Sequence, residues 1–467
     1  MSVYILLACL ILPPLVLLMK RKQNKHLPPG PPKLPIIGNL HQLGALSHRS
    51  LWKLSKKYGP VIQMHLGGVP TVIVSSSEAA KQVLKYHDID SCSRPLLTTT
   101  GKLSYNYIDI AFVPYGNYWR EMRKISVLEL FSTKRVQSFR YIREQEVALL
   151  IDSISQSSLS SVTVDMSEKL VSLTASMACK SAFGKKFEGN EFDEGKFHEI
   201  LLEKSFHDLD GFYQQVIDQH LKTKETKQEE EEDIIDLLLK LERNQTEVDG
   251  VRFSQNHIKA ILMNLFLAGV DPGATTMIWA MTEPVRNPRV MKKAQEEIRT
   301  CVGKKGKVNE GELEQLKYLK MVVKETMRLH PPGPLLLPRE TMSHFKINGY
   351  DIYPKTRVHV NIWAIGREPD VWKSPEEYIP ERFEDGLIDF KGQNYELLPF
   401  GAGRRGCPGI YMGVTMVELA LANLMLCFDW KLPSGMKEED VDMEEVAGLA
   451  VYKKLPLKLV PVSYIYH

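Results

Sequence analysis

From about Ser47 onward, apolar residues recur three and four positions apart, the spacing that gathers them on one face of a helix. The longest such stretches are 77–86, 119–131, 136–153 and 255–286. Alternation of the β type is confined to short pieces at 61–66, 71–74 and 345–352, the last with Asn348-Gly349 as a tight hairpin turn. No unit recurs at solenoid periods. The pattern predicts one large, mainly helical domain over 47–467 with a small β-rich part.

Residues 1–46 have a different texture. An uncharged apolar run, Val3 to Met19, is followed at once by Lys20, Arg21, Lys22 and Lys25. The run is slightly short of the roughly 20 residues that cross a bilayer, and Pro13-Pro14 bends it. A cleaved leader carries its charge before the apolar run and a small-residue cleavage site after it; here the order is reversed and no such site follows. Basic residues stay cytoplasmic, so 1–19 reads as a retained, single-pass signal anchor with the rest of the chain in the cytosol. No later segment reads as long and apolar enough to span. Residues 20–46 hold Leu27-Pro28-Pro29-Gly30-Pro31-Pro32 and Pro35, a basic, proline-rich hinge of extended geometry.

Composition narrows the function classes. The chain has 467 residues and a formal net charge of +3, too near balance to suggest nucleic acid. Cys9, Cys92, Cys179, Cys301, Cys407 and Cys427 are scattered with no C-x-x-C pair, which argues against a disulfide framework or a zinc ribbon. The run 228–233 is almost all acidic and reads as a solvated loop.

The most informative stretch is Pro399-Phe400-Gly401-Ala402-Gly403-Arg404-Arg405-Gly406-Cys407-Pro408-Gly409. Its glycines spell G-x-G-x-x-G, a dinucleotide-loop pattern with Asp429 beyond. Too little chain follows Asp429 to build the rest of a doubly wound sheet, and bulky residues stand where that loop needs bare backbone. A thiolate reading uses every residue. The glycines bring the backbone close to a flat macrocycle and free amides to point at sulfur. Arg405 meets a propionate, Phe400 shields the sulfur side, and a helix from Pro408 to Cys427 turns its positive end toward Cys407.

Phe400, Gly403, Arg405, Cys407 and Gly409 together resemble the haem-binding signature F-x-x-G-x-R-x-C-x-G of cytochromes P450, and the whole chain resembles the plant microsomal family 71, 71B type. The resemblance implies a P450 fold with haem b held by Cys407 as metal ligand. Glu325 and Arg328, three apart on a helix ending before His330, otherwise a surface pair, then resemble the family's E-x-x-R with Arg382 as third member of a buried cluster. Trp119, Arg123 and Arg339 resemble propionate partners.

The resemblance also implies that the apolar helix 262–280 crosses the oxygen-binding face, with Asp271 relaying protons. The family's usual threonine after that acid is Pro272 here, leaving Thr275 and Thr276 a turn further on as catalytic candidates. Proline inside a helix costs about 3 kcal/mol, less where the helix is already broken. Pro284 is a second oddity. Between 199–204 and 208–214 the chain lacks most of the two helices that roof the pocket in related enzymes. Segments 105–113, 333–337 and 448–451 are expected to line that pocket. The implied activity is a monooxygenase of the endoplasmic reticulum membrane, fed by NADPH through NADPH-cytochrome P450 reductase, placing one atom of dioxygen into a small apolar substrate. Two alternatives stay open: with Pro272, a dehydratase or isomerase that uses no dioxygen, or, with Pro272, Pro284 and the truncated roof together, a haem-binding protein with little turnover.

Overall fold

The computed structural model describes residues 26–160, 162–184, 206–222 and 232–464. The expected anchor at 1–19, most of the basic stretch that follows it, and the 199–204 side of the shortened roof lie outside these residues.

Helices dominate: α1 (Ser47–Tyr58), α2 (Asn117–Ile125), α3 (Arg140–Leu159), α4 (Met166–Phe183), α5 (Phe206–Lys222), α6 (Ile234–Arg243), α7 (Gln255–Gly269), α8 (Asp271–Arg286), α9 (Pro288–Val302), α10 (Lys317–Leu329) and α11 (Ile410–Cys427). Apart from a small hairpin of Glu247–Val248 with Val251–Arg252, the strands are β1 (Val61–Leu66), β2 (Val69–Val74), β3 (Val164–Asp165), β4 (Arg339–Glu340), β5 (Phe345–Ile347), β6 (Tyr350–Ile352), β7 (Arg357–Val360), β8 (Phe428–Lys431), β9 (Glu445–Ala447), β10 (Val451–Lys453) and β11 (Lys458–Ser463). One sheet runs β1-β2-β7-β4 and another β8-β11-β3, while β9-β10 and β5-β6 are hairpins. In the second hairpin Asn348 and Gly349 both take positive φ, 49° and 83°, the backbone that a two-residue turn of this hand requires.

The main core joins α3, α4, α8, α9, α10 and α11 through residues such as Leu170, Met277, Ile298, Leu319 and Leu421. Helix α11 is apolar on nearly every face, which suits only a helix packed on all sides, and twelve consecutive residues from Thr415 to Leu426 are buried. Two spans, Gln255–Arg286 and Ile410–Cys427, do meet the length and hydropathy of a membrane crossing, contrary to the expectation that no later segment would. Both are mostly buried among other helices (61% and 72%), so their apolar faces already have protein partners.

Several boundaries differ from the periodicity. The stretch 255–286 breaks at Val270 into α7 and α8, and 136–153 divides into a short turn ending at Ser138 and then α3. Helix α11 starts at Ile410, after Pro408 and Gly409, rather than at Pro408. The acidic run is not all solvated: Glu232 and Asp233 are buried. Glu232 pairs with Lys240, and Asp233 caps α6 by accepting from the Asp236 amide at 2.9 Å.

Candidate active site: a cysteine loop facing a cleft lined by arginines

Gly403 sits at φ +69°, and a side chain there would meet the Leu84 carbonyl at 2.5 Å and Asp88 Oδ1 at 2.6 Å. Only glycine fits. The chain then turns so that the Gly406 amide donates to the Gly403 carbonyl (3.0 Å) and the Cys407 amide to the Phe400 carbonyl (2.9 Å). Phe400 packs edge-on against Phe390, with ring centroids 5.5 Å apart.

The Cys407 thiol is open to solvent, yet burial is what chiefly raises its pKa; a group reached by solvent while surrounded by protein stands on the wall of an internal cavity. The Gly409 amide and the Arg123 charge work the other way, favouring the thiolate. Arg123, on α2, donates to the Gly406 carbonyl beside the cysteine. Both flanks of the sulfur therefore carry groups that favour negative charge.

Arginines crowd the same region. Arg405 donates to the carbonyls of Cys92 (2.8 Å) and Val113 (2.7 Å) and lies over the Trp119 ring at 4.3 Å. Trp119 spends its indole N–H on the Ile110 carbonyl at 3.2 Å. Arg339 donates to Asp88 Oδ1 (2.7 Å) and to the Ala402 carbonyl (3.2 Å). Asp88 also accepts from the Arg404 amide (3.0 Å) and side chain (2.9 Å), so one buried carboxylate fixes both Arg339 and the loop before the cysteine. Arg94, likewise buried, donates to the carbonyls of Ala111 (2.9 Å), Leu337 and Pro338 (2.8 Å each).

Residues 88 and 94 escaped the sequence reading. Asp88 sits in an unpatterned run, and the lone signal for Arg94 is its place before Pro95. Burial, with Arg339 and Arg123 adding to it against Cys92 and Asp109, lowers Arg405 to about 10. Burial, with Arg405 and Arg339 adding to it, drives Arg94 well down too. Burial, Arg357 and Arg94 together pull His359 down to about 4, and the buried Arg357 Nε and His359 Nδ1 have no hydrogen-bond partner. Cations held together mainly by backbone carbonyls are short of negative charge. A flat macrocycle with two carboxylates and a metal needing a thiolate fits that deficit: Cys407 would hold the metal, and Arg94, Arg123, Arg339 and Arg405 would answer the carboxylates.

On α7 and α8 the structure separates the expected catalytic residues. Asp271 opens α8 and its Oδ2 accepts from the Tyr452 hydroxyl at 2.6 Å. Thr276 donates to the Pro272 carbonyl at 2.8 Å, whereas the Thr275 hydroxyl is buried with no partner. Pro272 stands in the first turn of α8, where the missing N–H costs no helical bond. Gly273 allows α8 to approach α11, since a Cβ there would meet Met416 Cε at 2.4 Å. Pro284, within α8, removes the N–H that the Ala280 carbonyl would otherwise receive.

Glu325 is wholly buried. Its Oε1 accepts from Arg328 Nη2 (2.8 Å), Arg382 Nε (3.0 Å) and the Ile379 amide (2.8 Å), and its Oε2 from Arg328 Nε (2.7 Å). The two arginines donate onward to the carbonyls of Gly366, Lys373, Ser374, Pro375 and Glu377, binding the 366–382 segment to α10. Within the segments expected to line the pocket, Asp109, Val113, Pro334 and Ala450 are buried, and Asp109 accepts from the Val113 amide (3.0 Å) and from Asn264 (2.9 Å).

The family model for cytochrome P450 matches residues 28–201 and 196–460, two stretches that meet beside the shortened roof. Cytochrome P450 71B34 of Arabidopsis thaliana is 52% identical over 477 residues, covering 95% of each chain. Cytochrome P450 71B9 of the same plant is 53% identical over 470 residues, covering 94% of this chain and 93% of its own. Among solved structures, a zebra fish cytochrome P450 with abiraterone superposes with a TM-score of 0.80 at 23% identity, covering 90% of this chain and all of that one, which speaks for the fold. The chain therefore belongs to the cytochrome P450 family, is similar to plant 71B members, and shares the family's cofactor, haem b.

Proposed function

We propose that the protein is a membrane-anchored haem-thiolate monooxygenase that takes electrons from NADPH through a flavoprotein reductase and oxygenates a small apolar molecule. The observation that carries this reading is the Cys407 thiol on a cavity wall, flanked by the Gly409 amide and Arg123 and set among arginines short of negative charge. The haem supplies dioxygen activation when bound. The protein's part is to hold the thiolate at Cys407 Sγ and to orient the macrocycle through Arg94, Arg123, Arg339 and Arg405. Asp271, whose Oδ2 accepts from the Tyr452 hydroxyl, is the acid group of the oxygen-binding side, and the Glu325–Arg328–Arg382 cluster keeps the loop before the cysteine in register. The run at 1–19, with the basic and proline-rich stretch after it, supports an anchor in the endoplasmic reticulum membrane and a cytosolic domain over 47–467.

The test is spectroscopic. Protein expressed with haem and reduced under carbon monoxide should absorb at the thiolate-type Soret position, and Cys407→Ala should lose that band while folding. No band in the unaltered protein would refute the reading. Pro272, which has no hydroxyl beside Asp271, favours one second reading, a non-oxygenating dehydratase or isomerase. Product formation without NADPH would select it.

A further inference from the structure

The mechanism leaves unexplained why Asp271, at the break between α7 and α8, is bonded to a residue 181 positions away. Tyr452 belongs to the β9–β10 hairpin, paired opposite Val446. Three separate contacts fix that hairpin. On one strand Glu445, buried, meets His48 Nε2 at 3.1 Å and Arg49 Nη2 at 2.9 Å. On the other strand the Val451 amide donates to the Pro332 carbonyl at 2.9 Å. At the turn the Tyr452 ring lies over Gly448, where any Cβ would strike its Cε2 at 2.3 Å. The ring can occupy this place only because residue 448 is glycine, and its hydroxyl then ends on the Asp271 carboxylate.

Residue 272, next in sequence to that carboxylate, is proline and brings no hydroxyl. Thr276 is turned onto the Pro272 carbonyl. We propose that Tyr452 is the positioning residue of the Asp271 carboxyl group and the hydroxyl through which its proton is renewed. A proton given up by the Asp271 carboxyl group is replaced at Oδ2 from Tyr452 Oη, which regains one from water at the half-buried face of the hairpin; no electron moves. Burial, followed by the Asp271 contact, raises the Tyr452 pKa, so the hydroxyl stays protonated at neutral pH.

This rests on the monooxygenase reading, and two readouts keep the two apart. In resting full-length holoprotein carrying [13Cζ]tyrosine, one resonance should vanish in Tyr452→Phe and shift in Asp271→Asn. With reductase, NADPH and dioxygen and no added substrate, Tyr452→Phe should raise the share of electrons recovered as hydrogen peroxide rather than water by twofold or more. Its solvent isotope effect should change, and Pro272→Thr in that background should bring the peroxide share back down. The phenylalanine ring keeps the packing over Gly448, so the melting temperature serves as the folding control. An unchanged peroxide share and isotope effect in folded Tyr452→Phe overturns the proposal, as does a tyrosine resonance indifferent to Asp271→Asn. If the unaltered protein oxidises no NADPH, the monooxygenase reading fails on its own, and a resonance that still reports the bond makes Tyr452 a structural contact.

Discussion

Removing the Glu325 carboxylate tests the buried ion cluster that binds the 366–382 segment to α10. Four hydrogen bonds end on its two oxygens, from Arg328, Arg382 and the Ile379 amide, and the carboxylate and Arg328 are both sealed from solvent. In Glu325→Ala the Arg328 guanidinium keeps its bonds to carbonyl oxygens but loses its only anionic partner among the described residues. Stranding a buried charge this way costs about 3–5 kcal/mol, a third or more of the stability of a typical domain. With a urea dependence of about 3 kcal/mol per molar, the unfolding midpoint should fall by about 1–1.7 M. Arg382, paired through the other side of Oε1 and less deeply placed, should cost less when changed to Ala. Replacing both charges together, Glu325→Leu with Arg328→Met, should recover part of the loss, because the fully sealed Arg328 charge is gone and only Arg382, nearer solvent, is left without its carboxylate. Far-ultraviolet circular dichroism in urea reads all four proteins. A Glu325→Ala midpoint within about 0.3 M of the unaltered protein, or a double variant no more stable than Glu325→Ala, would refute the reasoning.

Two further changes probe the same framework. Gly403→Ala adds a Cβ 2.5 Å from the Leu84 carbonyl at a φ of +69°, so the loop must shift; the expected result is folded protein that retains haem poorly, measured as the haem-to-protein absorbance ratio. Glu418, buried in α11, has its pKa raised to about 7 by burial against the opposing Lys320 and Lys324 charges. The folded state then binds a proton that the unfolded chain releases, so stability is full below the ordinary value of 4.5 and falls by about 3 kcal/mol as pH rises to 7. Glu418→Gln should flatten that part of the stability profile and be the more stable form at pH 8, and an unchanged slope between pH 5 and 7 would refute the assignment.

Local chemistry made some features legible from sequence alone. The glycines around Cys407 prescribe a backbone that few other residues allow, and Glu325 and Arg328 share a helix face whatever surrounds the helix. Asn348-Gly349 specifies its own turn. What the sequence could not determine was which distant segment would meet these local pieces. Asp88 beneath Arg339, Arg94 among backbone carbonyls and Tyr452 on Asp271 all join residues far apart in the chain, and no spacing encodes such a meeting. The same holds for Pro272. Periodicity carried one helix through it, and only the packed structure, breaking the helix at Val270, turned an interior proline into a first-turn proline with no N–H to lose. Sequence thus determined the conformation of the Cys407 loop through backbone constraints, whereas Asp271 acquired its partner Tyr452 only through the tertiary fold, because burial and docking decide where a side chain's hydrogen bonds go.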